Sequence, residues 1–154
     1  MGIIILLREK ARMAEAGDVE QLCAEDQKGW LVNKRGGNSM VDRWLDEVRQ
    51  MANPENLGMI LVHNGIVRGT SKSGRPVRGM KLSYDQKRLD SVMPMFKQRV
   101  GIAEVRAWIN SGDLKVGDNI MLLLVAGRFK TDVLPVFDEL LSLIKNEIIT
   151  EEEV

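Results

Sequence analysis

Apolar and polar positions follow two different rhythms on either side of Met40. Before Met40 the pattern is thin. Glu9 to Ala24 has enough apolar residues for one short helix, and Asn33 to Ser39 reads as a polar, glycine-bearing linker. From Met40 onward the pattern is regular. Val41 to Ala52 carries Trp44, Leu45, Val48 and Met51 at helical spacing, and Asn53-Pro54 stops the helix. Leu57 to Gly69 alternates Met59, Leu61 and Val67 against Ile60, Val62 and Ile66, which predicts a strand covered on both faces. Thr70 to Arg75 is a flexible turn, and Pro76 to Tyr84 is a second strand expected to pair antiparallel with the first.

Asp85 is placed to cap the next helix, whose stripe is Leu89, Val92, Met93, Phe96 and Val100, with Gly101 closing it. Pro94 inside that helix frees a carbonyl and predicts a bend. Ile102 to Asn110 alternates again, with Val105, Ala107 and Ile109 on one face. A turn through Ser111-Gly-Asp and Val116-Gly-Asp leads to the apolar strand Ile120 to Ala126. The last helix spans about Asp132 to Ile148 and buries Val133, Phe137, Leu140, Ile144 and Ile148, with Pro135 in its first turn. The order α-β-β-α-β-β-α predicts an α+β domain with a largely antiparallel sheet and a long C-terminal helix. Residues 1–39 are read as an extension and linker, and 40–154 as the domain.

Composition narrows the function. The 154 residues are 44% hydrophobic, enough for one domain with a real core. The formal charge is zero, so nucleic acid is not an expected partner and any anion site must come from local clustering. Cys23 is the only cysteine and His63 the only histidine, which excludes an internal disulfide and a cysteine- or histidine-based metal cluster. Neither a metal nor a cofactor is expected. Ile3 to Leu7 is too short for a signal-peptide core, no segment approaches a membrane span, and a reducing, cytoplasmic setting is expected.

The strongest local cluster is cationic: Arg68, Lys72, Arg75, Arg78 and Lys81, set among Gly65, Gly69, Gly74 and Gly79. Glycines let backbone N–H groups approach a ligand, and each charge-assisted contact to a phosphate contributes roughly 1.5–3 kcal/mol. A hairpin with a solvated basic face accounts for the same residues. Arg68 is expected to share a strand face with Asn64 and Ile66. Arg128 closes the Ile120–Ala126 strand just before a helix start, whose partial positive charge also suits an anion. Two arginines at strand exits facing that helix start would form an anion pocket; an ion pair with Asp132 or Asp118 is the other explanation for Arg128. His63 reads as a satisfied core histidine. Trp108 marks either a contact surface or a local hydrophobic cover, and Met80, Met93 and Met95 read as core or interface filling.

Three strings in order carry a family resemblance. Gly65-Ile-Val-Arg68 resembles the Gly-x-Val-Arg that ends the first strand of molybdopterin synthase large subunits. Gly112-Asp-Leu-Lys-Val-Gly-Asp118 resembles the family's Gly-x-Leu-x-x-Gly-Asp/Glu turn. Ala126-Gly-Arg128 falls where the family has Ala-His-Arg, followed in both by a long helix. The resemblance runs from Met40 to about Glu152. It implies an α/β hammerhead-like fold, a homodimer, and a small ubiquitin-like sulfur-carrier subunit as partner. The reaction it implies is sulfur transfer from that subunit's C-terminal thiocarboxylate to cyclic pyranopterin monophosphate, a pterin phosphate. Arginines would hold the phosphate, here Arg68 and Arg128, with Arg75 and Arg78 of the basic loop beside them. Lysines would serve proton transfer or covalent capture.

The departures from the family concern the same chemistry. Gly127 replaces the family's His, and Ile109-Asn110 replaces a His-Arg pair. The two family lysines fall on Leu143 and Thr150, with Glu152 matching the following acid. Lys145, two residues from the first position, substitutes only if the helix end shifts, and otherwise sits on a solvated face with Asp138 and Ser142. Lys145 and Lys130 are the candidate catalytic lysines. The alternative is a catalytically degenerate relative that binds a pterin, an anion or a partner, or a scaffold whose dimer is its function.

Overall fold

The computed structural model describes residues 39–154. The short helix expected over Glu9 to Ala24, the body of the linker and Cys23 lie outside the described residues.

Helix α1 (Met40–Met51) begins where the pattern changes, and Ser39 fixes its start. The Ser39 side chain accepts the Asp42 N–H at 3.2 Å, and the Asp42 carboxylate accepts the Ser39 N–H at 3.0 Å. This reciprocal box satisfies two of the four N–H groups that a helix start leaves over. A single 3-10 turn (Pro54–Asn56), held by the Asn53 side chain, leads into β1 (Met59–Ile66). Then follow β2 (Gly79–Tyr84), α2 (Gln86–Lys97), β3 (Ile102–Ile109), β4 (Gly112–Lys115) and β5 (Asn119–Gly127). Helix α3 (Lys130–Leu143) runs into a π-helical turn (Ile144–Ile148) and a last strand, β6 (Ile149–Glu153). Asp85 caps α2 as expected, accepting the Arg88 N–H at 3.0 Å.

The domain is α+β and its strands pair antiparallel, but in two sheets. One has the order β1-β5-β3 and the other β4-β2-β6. The expected β1–β2 hairpin pairing does not form. β1 pairs with β5, Met59 opposite Gly127 and His63 opposite Leu123, while β2 pairs with β4 and β6. The two patterns explain the separation. β1 is apolar on both faces and belongs in a sheet covered on both sides. β2 is apolar only at Met80 and Leu82, with Lys81 and Ser83 exposed, which suits a sheet with one wet face.

β5 is the centre of the first sheet, and Met121 to Ala126 are all 0–2% exposed. One of its faces, with Met121, Leu123 and Val125, joins the main core, which includes Val133, Leu140 and Ile144 of α3 and its π turn and Leu89, Val92 and Phe96 of α2. On the other, Leu124 and Ala126 pack with Val48, Trp44 and Leu45 of α1. Each large side chain so buried stabilises the fold by roughly 1.5–3 kcal/mol. An ion pair from Arg106 on β3 to Glu47 ties α1 down at its edge.

Other boundaries also differ from the pattern. α3 starts at Lys130, with Phe129 as an N-cap that makes no side-chain bond, so Pro135 lies in the second turn. β4 forms where a turn was expected, and β6 forms along the acidic Glu151–Glu153 run, both because β2 offers its two edges. Among the described residues no helix is long and apolar enough to cross a membrane.

Two substitutions test this packing. A Cβ at Gly127 would lie 2.4 Å from the Gly101 carbonyl oxygen and 2.9 Å from Val133 Cγ2. Gly127→Ala is therefore expected to cost about 2–3 kcal/mol in urea unfolding. Val48 is 0% exposed beneath α1. Val48→Ala is expected to lower stability by about 2 kcal/mol. An unchanged midpoint for either variant would contradict the close approach or the seating of α1.

Candidate functional site

The cationic candidates fall into two groups, and the sheet decides which. Arg68 follows β1 and the buried Val67, whose N–H donates to the Asp118 carbonyl at 2.9 Å and whose carbonyl accepts the Gly117 N–H at 2.9 Å. Beyond it residues 69–77 form a tied loop rather than a loose turn. Val77 N–H reaches the Gly69 carbonyl at 3.0 Å, Thr70 bridges to Pro76, and Gly74 takes φ +82° at the tip. Arg75 donates from Nε to the Ser73 hydroxyl at 3.2 Å, and the Arg78 N–H donates to the Val154 carbonyl at 2.6 Å. Arg68, Lys72, Arg75 and Arg78 are all exposed, and none has an ion pair among the described residues.

Arg128 stands elsewhere. Its N–H donates to the Gly101 carbonyl at 2.8 Å, its Nε lies 3.7 Å from Asp132, and its guanidinium lies over the Phe129 ring at 4.9 Å. The ion pair with Asp132, the other explanation for Arg128, is present, although Asp132 Oδ2 is buried without a hydrogen bond among the described residues. Arg128 lines a cleft of about 360 Å³ with Asn53, Asn56, Gly101 and Ile102. Lys130 opens α3 at the same end and is exposed.

A single chain does not bring Arg68 and Arg128 together. Both follow the C-terminal end of a strand, but β1 and β5 are antiparallel, so the two exits lie at opposite ends of the pair. The eight-residue length of β1 separates them by roughly 23 Å. Arg68 therefore does not face the start of α3 in its own chain, contrary to the sequence-based expectation of one pocket.

Lys145 sits on the π turn, where the Ile149 N–H reaches back to Ile144, one residue further than in an α-helix. The helix end is thus shifted at this position. Lys145 follows Leu141, which packs on the core, by one turn, but it is exposed, as are Asp138 and Ser142. Its charge is felt at His63 on β1, whose pKa is lowered first by burial and then by Lys145. Both effects favour the neutral imidazole of His63. Its ring meets Phe137 edge-on, centroids 6.3 Å apart. The histidine faces the core as expected, but it is not satisfied: Nε2 is buried with no hydrogen-bond partner among the described residues.

The positions that depart from the family have local explanations. Leu143 is partly buried against the main core. A side chain at 127 would collide with the Gly101 carbonyl. Thr150 lies on β6 opposite Ser83, and Lys81 stands between Glu152 and Asp113 on the two neighbouring strands. These residues line a shallow groove of about 320 Å³. In the sequence Lys81 stands out only as part of the basic loop; its place beside Thr150 depends on a strand pairing that no local pattern shows. Among the described residues no three His, Cys, Asp or Glu side chains gather as a metal site.

The model of the MoaE protein family matches residues 41–147. Among solved structures, molybdopterin synthase from Staphylococcus aureus superposes with a TM-score of 0.59 at 18% identity, covering 71% of this chain and 82% of that one. The complex of subunits 1 and 2 of molybdopterin-converting factor from Helicobacter pylori 26695 gives 0.57 at 17% identity, over 74% and 77%. The molybdopterin biosynthesis MoaE protein from Burkholderia ambifaria MC40-6 gives 0.58 at 18%, over 77% and 81%. No curated protein sequence matches the chain. At these identities the structural likeness shows the fold, and the family match spans most of the chain. The chain belongs to the MoaE family, the large subunits of molybdopterin synthase, as a divergent member that lacks lysine at positions 143 and 150.

Proposed function

We propose that this protein is a molybdopterin synthase large subunit, transferring sulfur from the thiocarboxylate of a small ubiquitin-like subunit to cyclic pyranopterin monophosphate. The observation that carries the reading is the π turn after Leu143. It widens the helix end by one residue where Lys145 stands, and the charge of Lys145 acts on His63 of β1. Lys145 then takes the role of proton carrier or covalent capture point for the thiocarboxylate carbon. The arginines hold the phosphate, and Arg75 and Arg78 add positive potential at the mouth.

The topology adds a requirement. If Arg68 and Arg128 serve one phosphate, they must come from two copies of the chain. A two-fold dimer that sets the Arg68 end of one protomer against the Arg128 end of its partner repeats the same junction twice. Both ends carry exposed apolar side chains that such a junction would cover: Ile66, Val116 and Val154 at one, Met51, Val100 and Phe129 at the other. In this arrangement Lys130 enters the site from the partner, beside Arg128.

A non-catalytic binding module is the second reading, favoured by Leu143 and by the lack of room at Gly127. A reconstituted assay with purified chain, thiocarboxylated small subunit and the pterin phosphate separates the two. Product is expected from the wild type. Lys145→Ala should reduce turnover by roughly a hundredfold, and Arg128→Ala should lower kcat/KM about 10–100-fold. No product from a folded protein with a competent partner would overturn the enzymatic reading and leave the binding module.

A further inference from the structure

Phe129, next to Arg128, breaks two local rules at once. It is the N-cap of α3, a position where Ser, Thr, Asp or Asn normally accepts a helix N–H. The starts of α1 and α2 follow that rule, capped by the side chains of Ser39 and Asp85. Phe129 makes no side-chain cap bond. Nor is it drawn into the core: it is 57% exposed, whereas a phenylalanine stabilises a fold by burying its ring. An exposed aromatic at a position suited to a polar side chain contributes nothing to the helix start.

What the ring does meet is Arg128. The guanidinium lies over it, 4.9 Å from the centroid, within the range of a cation–π contact. Asp132 stands at the Nε side, 3.7 Å away. The ring thus takes one face of the guanidinium and a carboxylate takes the Nε side. Neither Nη group makes a hydrogen bond among the described residues. That Nη edge suits bidentate contact with a phosphate. Arg99 is the contrast. It lies 5.4 Å from the Phe96 ring, but Phe96 is buried in the core and Arg99 Nη2 is bonded to Glu139 at 2.6 Å. Of these two stacked arginines only Arg128 keeps its Nη donors open, and it lines the cleft with Asn53 and Asn56.

We propose that Phe129 is a positioning residue for anion binding: its ring is a shelf that holds the Arg128 guanidinium at the cleft, with the Nη edge open to the phosphate of the substrate. A free arginine loses much rotamer freedom when it closes on a ligand, and one already held against a ring loses less. The uncapped helix start serves the same end. No side chain of Phe129 competes for the first N–H groups of α3, whose partial positive charge adds to that of Arg128. The identity of the phosphate rests on the sulfur-transfer reading, but the shelf does not require catalysis.

The test is calorimetric titration of the full chain with cyclic pyranopterin monophosphate, beside KM and kcat in the reconstituted assay. Wild type is compared with Phe129→Ala, Phe129→Leu, Phe129→Trp and Phe129→Asn, each shown by size-exclusion chromatography to keep the wild-type oligomeric state. The Ala, Leu and Asn variants are expected to raise Kd and KM about threefold to tenfold with kcat little changed. The Trp variant, with the stronger ring face, is expected to bind at least as tightly as wild type. Leu keeps an apolar cover without a π face, so wild-type binding by that variant would reduce the ring to packing and overturn the proposal. Asn supplies the missing cap and is expected to raise the urea midpoint while weakening binding, which separates loss of the shelf from loss of the fold. Unchanged affinity in the Ala variant, or a loss with Trp as large as with Ala, would also overturn the proposal. If the variants bind in the expected order while even the wild type transfers no sulfur, the enzymatic reading falls and the shelf stands. If the wild type transfers sulfur and every variant shares its KM, the reading stands and the shelf falls. A wild type that binds no pterin phosphate overturns both.

Discussion

The antiparallel pairing of β1 with β5 is the constraint from which the rest of this structure follows. β5 is buried on both faces, so it needs a helix layer on each side and a strand on each edge. α1 supplies one layer, and α2 with α3 supplies the other. The same pairing sets the positions of the charged side chains. Antiparallel strands exit at opposite ends, so Arg68 and Arg128 are driven apart by the arrangement that gives the domain its core. A parallel pair would have put both arginines at one edge. In this fold a site that uses both must be completed by a second copy.

The second consequence concerns close contact. α3 starts directly after β5, and the Arg128 N–H is anchored to the Gly101 carbonyl. That anchor draws Gly101, Gly127 and Val133 so near one another that a side chain at 127 is excluded. The loss of the family's His at this position is therefore tied to local packing, not only to chemistry. At the other end of α3 the helix must pass from the sheet of β5 to that of β2, and the π turn lies at this junction. One wide turn releases Ile149 into a strand and resets the direction of the side chains around it. Lys145 is among them.

Much of the fold could be read from the chain. The periodicity of Trp44, Leu45 and Val48 gave α1, Asp85 gave the start of α2, and the unbroken apolar run gave β5 as a strand. Strand partners could not be read. Local alternation reports which face of a strand is buried, not which strand lies beside it, and neighbourhood in sequence suggested a β1–β2 hairpin that does not form. β4 and β6 were missed because both are short and polar, and exist only against the edges of β2. The π turn had no signal in the Ile144–Ile148 pattern, which fits a continuous helix equally well. Of the candidate site, the arginines were visible as residue types, but their separation was not, and His63 looked satisfied until its surroundings were known.

A site shared between two copies of the chain is tested most directly by mixing inactive variants. Arg68→Ala and Arg128→Ala homodimers would each be assayed alone, then unfolded together, refolded as a one-to-one mixture and assayed again. A shared site predicts that each variant alone is nearly inactive and that the mixture recovers about a quarter of wild-type turnover, because half the dimers regain one intact site of two. A mixture no more active than its components, with subunit exchange verified, would contradict the account and require each chain to work by itself.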